Sequence, residues 1–220
     1  MNGVLRLALA AMVVGGGVSA VAQQQDAPRP AARIAAIPVE KQTPEQKKAI
    51  ADYIADRKAP PMGPYSAWTR SPEMMARIRE LSDYIRFKST LPMKLKELAV
   101  LTAARNWSIQ YEWAGNSKVA ADNGVNAEII KSISEGRRPM TMDEDEEIIY
   151  NLCMELQQNK SVSDVTYDRA VKKFGEQMVI ETVTTIGYYS MVGMVLNVSK
   201  TPAPTGEPYP LPVLPATFAK

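Results

Sequence analysis

Leu91 to Ala121 reads LPMKLKELAVLTAARNWSIQYEWAGNSKVAA. Leu91-Pro92 opens a helix, and Leu95, Leu98, Ala99, Leu101 and Thr102 recur on one face of it at the 3.6-residue period. A second helix is predicted from Ile109 to about Asn123, with Gly124 as its C-terminal cap. The polar residues are as informative as the apolar ones. Glu97 lies on the first helix; Glu112, Trp113 and Asn116 lie on the second. Glu112 and Asn116 are four residues apart and so share a helix face.

The flanks repeat the helical pattern. Thr43-Pro44-Glu45 combines a capping hydroxyl, a proline at the first helical position and an acid in the first turn. That helix should run to about Arg57 with Ile50 and Ile54 inward, and Pro60 to Pro64 should break it. Ser71-Pro72-Glu73 starts another, carried by Met75, Ile78, Leu81, Ser82 and Ile85. Residues 126–135 form a short helix closed by Gly136. The acidic run Asp143 to Glu147 reads as a solvated helix start at the favourable end of the helix dipole. Ile148, Ile149, Leu152, Cys153 and Leu156 follow as its core stripe, so Cys153 is read as a small buried apolar residue.

Ser163-Asp164 caps a helix ending at Gly175. The last helix, 176–198, is apolar on most sides and should be buried, centrally or against another subunit. Its Gly187, Ser190 and Gly193 would allow another helix to approach closely. No stretch reads as a strand or as a glycine-rich phosphate loop. The expected fold is all-α, a single-domain multi-helix bundle over residues 43–198. A flexible lead-in (23–42) precedes it, and a proline-rich extended tail (199–220), able to wrap a neighbour, follows.

Composition narrows the chemistry. Residues 1–22 read as a signal peptide: Arg6, an apolar stretch from Leu7 to Val14, and Ala20-Val21-Ala22 before Gln23. Export to the periplasm or medium is expected. No later segment is read as long and apolar enough to span a bilayer, so stable membrane insertion is not expected. With 26 basic and 24 acidic residues, the chain gives no electrostatic reason to bind nucleic acid. There is no histidine and one cysteine, Cys153. An internal disulfide is excluded, as are imidazole-based triads and zinc sites, so neither metal nor cofactor is expected.

Three stretches taken together carry a resemblance: Gly63 to Met74 (GPYSAWTRSPEM), Leu91 to Ala121, and Gly187 to Asn197 (GYYSMVGMVLN). In their order and spacing they resemble the carboxymuconolactone decarboxylase family, which shares its helical fold with alkylhydroperoxidase D-like proteins. The likeness covers roughly residues 45–198. It implies a homo-oligomer, a trimer or a multiple of one. In the family's peroxidase branch a glutamate precedes Cys-x-x-Cys and a histidine, and these positions map to Glu97, Ile109, Glu112 and Asn116. Only the glutamate is kept, so dithiol peroxidase activity is not expected. The decarboxylase branch looks like Tyr-Glu-Trp-x-x-His, so Glu112 matches and Asn116 departs.

Two functions stay open. One is a lyase acting on a small carboxylated or lactone substrate. Glu97, Glu112 and Asn116 would be its catalytic residues, with Arg105 and Trp113 binding substrate. A carboxylate in a partly apolar pocket can move protons, and an amide can bind a carbonyl or oxyanion without titrating. The other is a non-catalytic oligomeric binding protein that retains the fold. Against both stands a purely structural use, with Glu97 paired to Arg105 or a lysine and Glu112 to Lys118 or Arg105. Tyr188 and Tyr189 are read as core.

Overall fold

The computed structural model describes residues 31–203 and 211–212. The expected signal peptide lies outside them. Among the described residues there are eight α-helices, one 3-10 turn (Val39–Lys41) and no strand. The helices are α1 (Pro44–Arg57), α2 (Pro64–Trp68), α3 (Pro72–Phe87), α4 (Met93–Asn106), α5 (Gln110–Asp122), α6 (Ala127–Ser134), α7 (Glu144–Asn159) and α8 (Asp164–Ser199). The fold is an all-α bundle.

Helix α4 is its axis. Every residue from Leu95 to Arg105 is buried, polar ones included, and α5, α6, α7 and α8 all pack on it. On one side, Leu98, Leu101, Trp113, Ile129, Ile149 and Cys153 belong to a common cluster. On the other, Val100, Ile109, Tyr53, Tyr65, Tyr189 and Val192 form a second, richer in aromatic rings.

The start signals act as the sequence suggests. Thr43 and Gln46 make a reciprocal capping box on α1, and Asp143 and Glu146 make another on α7. Gly175 takes a non-helical, positive-φ conformation inside α8, so the two expected helices meet there across a kink.

Three departures are informative. Helix α2 was not expected; it forms just beyond the proline cluster, with Pro64 at its first turn. On α1 it is Tyr53 that turns inward while Ile54 is exposed. Tyr53 stacks on Tyr65 of α2 at 4.8 Å, and Tyr65 meets Trp68 edge-on at 5.2 Å. These aromatic partners, supplied by the unexpected helix, set the rotation of α1. Finally, α8 is long and apolar enough to cross a membrane, contrary to expectation; 56% of its most apolar window is buried inside the domain, as in a core helix.

The glycine seam on α8 divides. A Cβ on Gly193 would lie 2.2 Å from the Ile109 side chain, so Gly193 is required for contact within the chain, whereas Gly187 faces open space. Both ends of the described chain are tied down. Arg33 and Ile34 donate backbone hydrogen bonds to Ser199 O. Leu211, from the tail, is buried in the first core cluster.

Candidate active site

The joint between α4 and α5 decides where the site residues point. Trp107 closes α4, and Ser108 adopts a left-handed conformation (φ 50°) before Ile109 begins α5. A non-glycine residue there is strained by about 1 kcal/mol or more, so something must hold it. Arg105 does: its Nη2 donates to Ser108 Oγ at 2.7 Å, and its Nη1 donates to Ser134 O at 3.1 Å and Pro212 O at 2.8 Å. The guanidinium is thus used to fasten the joint, α6 and the tail together. It does not line the cleft described next.

That cleft, of about 350 Å³, opens between α1, α2, α3, α5 and α8. Its walls carry Tyr53, Tyr65, Tyr111, Tyr188 and Tyr189, with Arg57, Arg86 and Glu112 among them. Of the five residues singled out from sequence, only Glu112 lines it. Asn116 is buried one turn behind. Its Nδ2 donates to Glu112 O at 2.8 Å and to Glu112 Oε2 at 3.1 Å. It therefore orients the carboxylate. Glu97 is buried on α4, and its Oε2 has no hydrogen-bond partner. Trp113 packs into the first core cluster and does not line the cleft.

Glu112 stands in the first turn of α5, where the helix dipole favours a negative charge by roughly 0.3–1 kcal/mol. Burial acts the other way and is larger: it lifts the Glu112 carboxyl to about 6, with the Asn116 hydrogen bond and Arg86 pulling back. Burial lifts Glu97 further, to about 7, against the pull of Arg86 and Lys96, while Glu112 adds to the rise. Burial works against the Arg86 charge too, but Tyr189, Glu97 and Glu112 outweigh it and hold the guanidinium above its ordinary range. Lys96 is buried, its Nζ donating to Arg86 O at 3.2 Å, and burial lowers it. The hydroxyls of Tyr188 and Tyr189 are pushed well up, chiefly by burial.

The structural pairings considered for the two glutamates do not form. Lys118 pairs with Asp122, and Arg105 bonds as described. What forms is a pair of carboxyls on adjacent helices, one at the cleft wall and one behind it, both shifted toward neutral pH. Perturbed carboxyls beside a cleft mark a candidate functional site. Arg86 and the tyrosines escaped the sequence reading. The one signal for them was the position of Tyr188-Tyr189 on an otherwise apolar helix, where two hydroxyls at the core are unusual.

A backbone device shapes the cleft mouth. Gly63 has φ 57°, and a Cβ there would meet the Tyr111 ring at 2.6 Å. The tyrosine rests on bare backbone, which only glycine provides.

No protein-family model and no curated protein sequence matches the chain. Solved structures do match in shape. An uncharacterized peroxidase-related protein from Ralstonia eutropha, with an alkylhydroperoxidase AhpD core, superposes with a TM-score of 0.66 at 8% identity, covering 81% of this chain and 95% of that one. A protein of unknown function from Agrobacterium tumefaciens, proposed as an antioxidant-defence AhpD, gives 0.58 at 15% identity, covering 64% and 97%. A cysteine-to-alanine variant of the debrominase Bmp8 in complex with 2,3,4-tribromopyrrole gives 0.60 at 13% identity, covering 78% and 91%.

Proposed function

Starting from a chain with the alkylhydroperoxidase D-like fold, we propose that it is an exported, cofactor-free lyase that decarboxylates a small cyclic carboxylate or lactone. The observation that carries this reading is Glu112: a carboxyl on the wall of a ring-sized cleft, oriented by Asn116 and shifted to about 6. A group of that kind is half-loaded with a proton near pH 6 and keeps it in about a tenth of molecules at pH 7, enough to serve as a general acid. The fold neighbour holding a bromopyrrole is a precedent for a ring-sized ligand in this fold.

The chemistry balances without a redox partner. The bond between the ring and its carboxylate breaks, CO2 leaves, and the electron pair passes into the conjugated lactone carbonyl as an enolate. Protonated Glu112 then gives its proton to the ring carbon, the enolate collapses, and the Glu112 carboxylate is reprotonated from solvent through the open cleft. Glu97, raised to about 7, is itself largely neutral below that pH, so the anionic substrate meets less than the full charge of two carboxylates.

The chain is also proposed to be a homo-oligomer, a trimer or a multiple of one. Ile180, Gly187, Met194 and Val198 are exposed along one side of α8, an apolar strip at helical spacing. A monomeric mass by light scattering at micromolar protein would overturn this.

Glu112→Gln tests the assignment of the acid. It keeps shape and should lower CO2 release from small carboxylated lactones by about 100- to 10,000-fold while the helical circular dichroism is unchanged. Undiminished turnover would remove Glu112 from the reaction. A ligand that raises the melting temperature yet releases no CO2 would favour the binding-protein reading. The amide of Asn116, standing where the decarboxylase branch has a histidine, supports that alternative. Asn116→His should then restore turnover.

A further inference from the structure

Two guanidinium groups line the cleft, and they differ in what they already hold. Arg57 on α1 is committed to the carboxylate of Asp83 on α3. Arg86, in the last turn of α3, has no side-chain hydrogen bond and no carboxylate within ion-pair distance among the described residues. Its main-chain carbonyl accepts from Lys96, but the side chain is left to face the cleft. Glu97 and Glu112 act on it only as fields from further away.

An arginine with open donors offers a planar fork matched to a carboxylate. Arg86 is exposed, and Tyr53, Tyr65, Tyr188 and Tyr189 line the same cleft with ring surface. The cleft volume lies at the small end of ligand sites, room for one ring and its substituents. We infer that Arg86 is the anion anchor of this cleft, taking the carboxylate of a compact ring monoanion and turning the ring onto the tyrosines toward Glu112. The inference rests on the reading of the cleft as the site, and it replaces Arg105 as the substrate-holding cation.

A second property follows from the charges around the cleft. The groups facing it or lying close behind are Tyr53 and Arg57 (α1), Tyr65 (α2), Asp83 and Arg86 (α3), Lys96 and Glu97 (α4), Tyr111 and Glu112 (α5), and Tyr188 and Tyr189 (α8). Burial pushes Tyr53, Tyr111, Tyr188 and Tyr189 up, and Arg86 is held above its ordinary range. Glu112 and Glu97 are the groups poised to titrate between pH 5 and 8. An arriving carboxylate adds negative charge beside Glu112 and favours its neutral form. Anion binding therefore takes up a proton, loading the acid as the substrate arrives, and binding tightens as the pH falls from 8 to 5.

Calorimetric titration of the full chain with benzoate and with its neutral isostere benzamide tests this. Benzoate should bind about ten- to a hundred-fold more tightly, the worth of hydrogen bonds to a charged group. Arg86→Gln should bring benzoate down to the level of benzamide, and Arg86→Lys should restore part of the preference, which also guards against a folding defect in the first variant. Equal binding of the two probes, no benzoate binding at millimolar concentration, or an Arg86→Gln variant that keeps the preference would each overturn the anchor. Glu112→Gln should keep the preference and lose the proton uptake. If Glu112→Gln abolishes proton uptake while Arg86→Gln changes nothing, the cleft stands and the anchor falls. If both variants bind benzoate as the parent does, the site itself is elsewhere.

Discussion

Glu97 and Glu181 are the same residue type with nearly the same surface left to solvent, 6% and 8%, yet one is lifted to about 7 and the other held at about 2. Burial pushes both upward, and harder at Glu97, which has more of the protein packed around it. The donors around each differ as well. Glu181 on α8 accepts from Tyr84 Oη at 2.8 Å, from Thr90 N at 2.6 Å, from Thr90 Oγ1 at 2.8 Å and from Gln177 Nε2 at 3.1 Å. Together these outweigh burial and keep it ionised. Glu97 has one oxygen with no partner at all, and its nearby cations act without touching it. Burial and the supply of donors together decide which carboxylate stays ionised. A saturated carboxylate is a clamp, here pinning the α3–α4 loop to α8; an unsatisfied one is available for protons.

The sharpest way to break that contrast is to remove each carboxylate in turn. Glu181→Ala takes the acceptor from the Thr90 amide and two hydroxyls at once and should cost about 1–3 kcal/mol in urea unfolding, since Thr90 and Tyr84 are exposed and can turn to water. Glu97→Gln, by contrast, should leave stability at acid pH almost unchanged. If the two substitutions cost the same at pH 5, the distinction between clamp and proton site fails.

The pH dependence sharpens it further. The folded value of Glu97 lies above its ordinary 4.5, so its contribution is fully present below pH 4.5 and is lost as the pH rises through about 7. Glu181 behaves oppositely: its contribution is present above 4.5 and lost as the pH falls through about 2. Melting temperatures should therefore fall between pH 4.5 and 8 by the equivalent of up to about 3 kcal/mol from Glu97. Glu97→Gln should make that limb shallower, leaving the share that Glu112 contributes through its own rise to about 6, and leave the acid limb untouched. A profile identical to the parent's would show that Glu97 is not titrating there.

A smaller effect tests the cleft mouth. Gly63→Ala places a methyl against the Tyr111 ring and strains a positive-φ backbone, for about 1–2 kcal/mol. It should weaken benzoate binding, whereas the same change at Gly187, where nothing stands within 4 Å, should leave binding as it was.

Much of this was legible in the sequence. The capping patterns of Thr43 and Asp143, the period through Leu95 to Thr102 and the break at Gly175 are local signals, and local hydrogen bonding made them good. Ile54 misled because its rotation is set by Tyr65 and Trp68, distant in period and carried on a helix of five residues, too short to show one. The site was half readable. Glu112 and Asn116 face one another because four residues make one helical turn. Arg86 could not be found that way: it reaches the cleft from α3, through tertiary packing with no sequence period to announce it. Arg105 has its two terminal nitrogens on Ser108, Ser134 and Pro212, away from the cleft, a set of partners from a turn, another helix and the tail that no local pattern announces.

The tail contact has a consequence in time. Arg105 and Gln110, which frame the joint between the site's two helices, each donate to carbonyls at Pro212 and Leu211, and Leu211 shares a core cluster with Trp113. A ribosome releases those residues after the whole of α8. Until it does, the joint lacks its far fastening, however complete α4 and α5 are. The site is thus completed only after all eight helices have emerged, and a chain cut just beyond α8 would hold every one of them and still lack the latch.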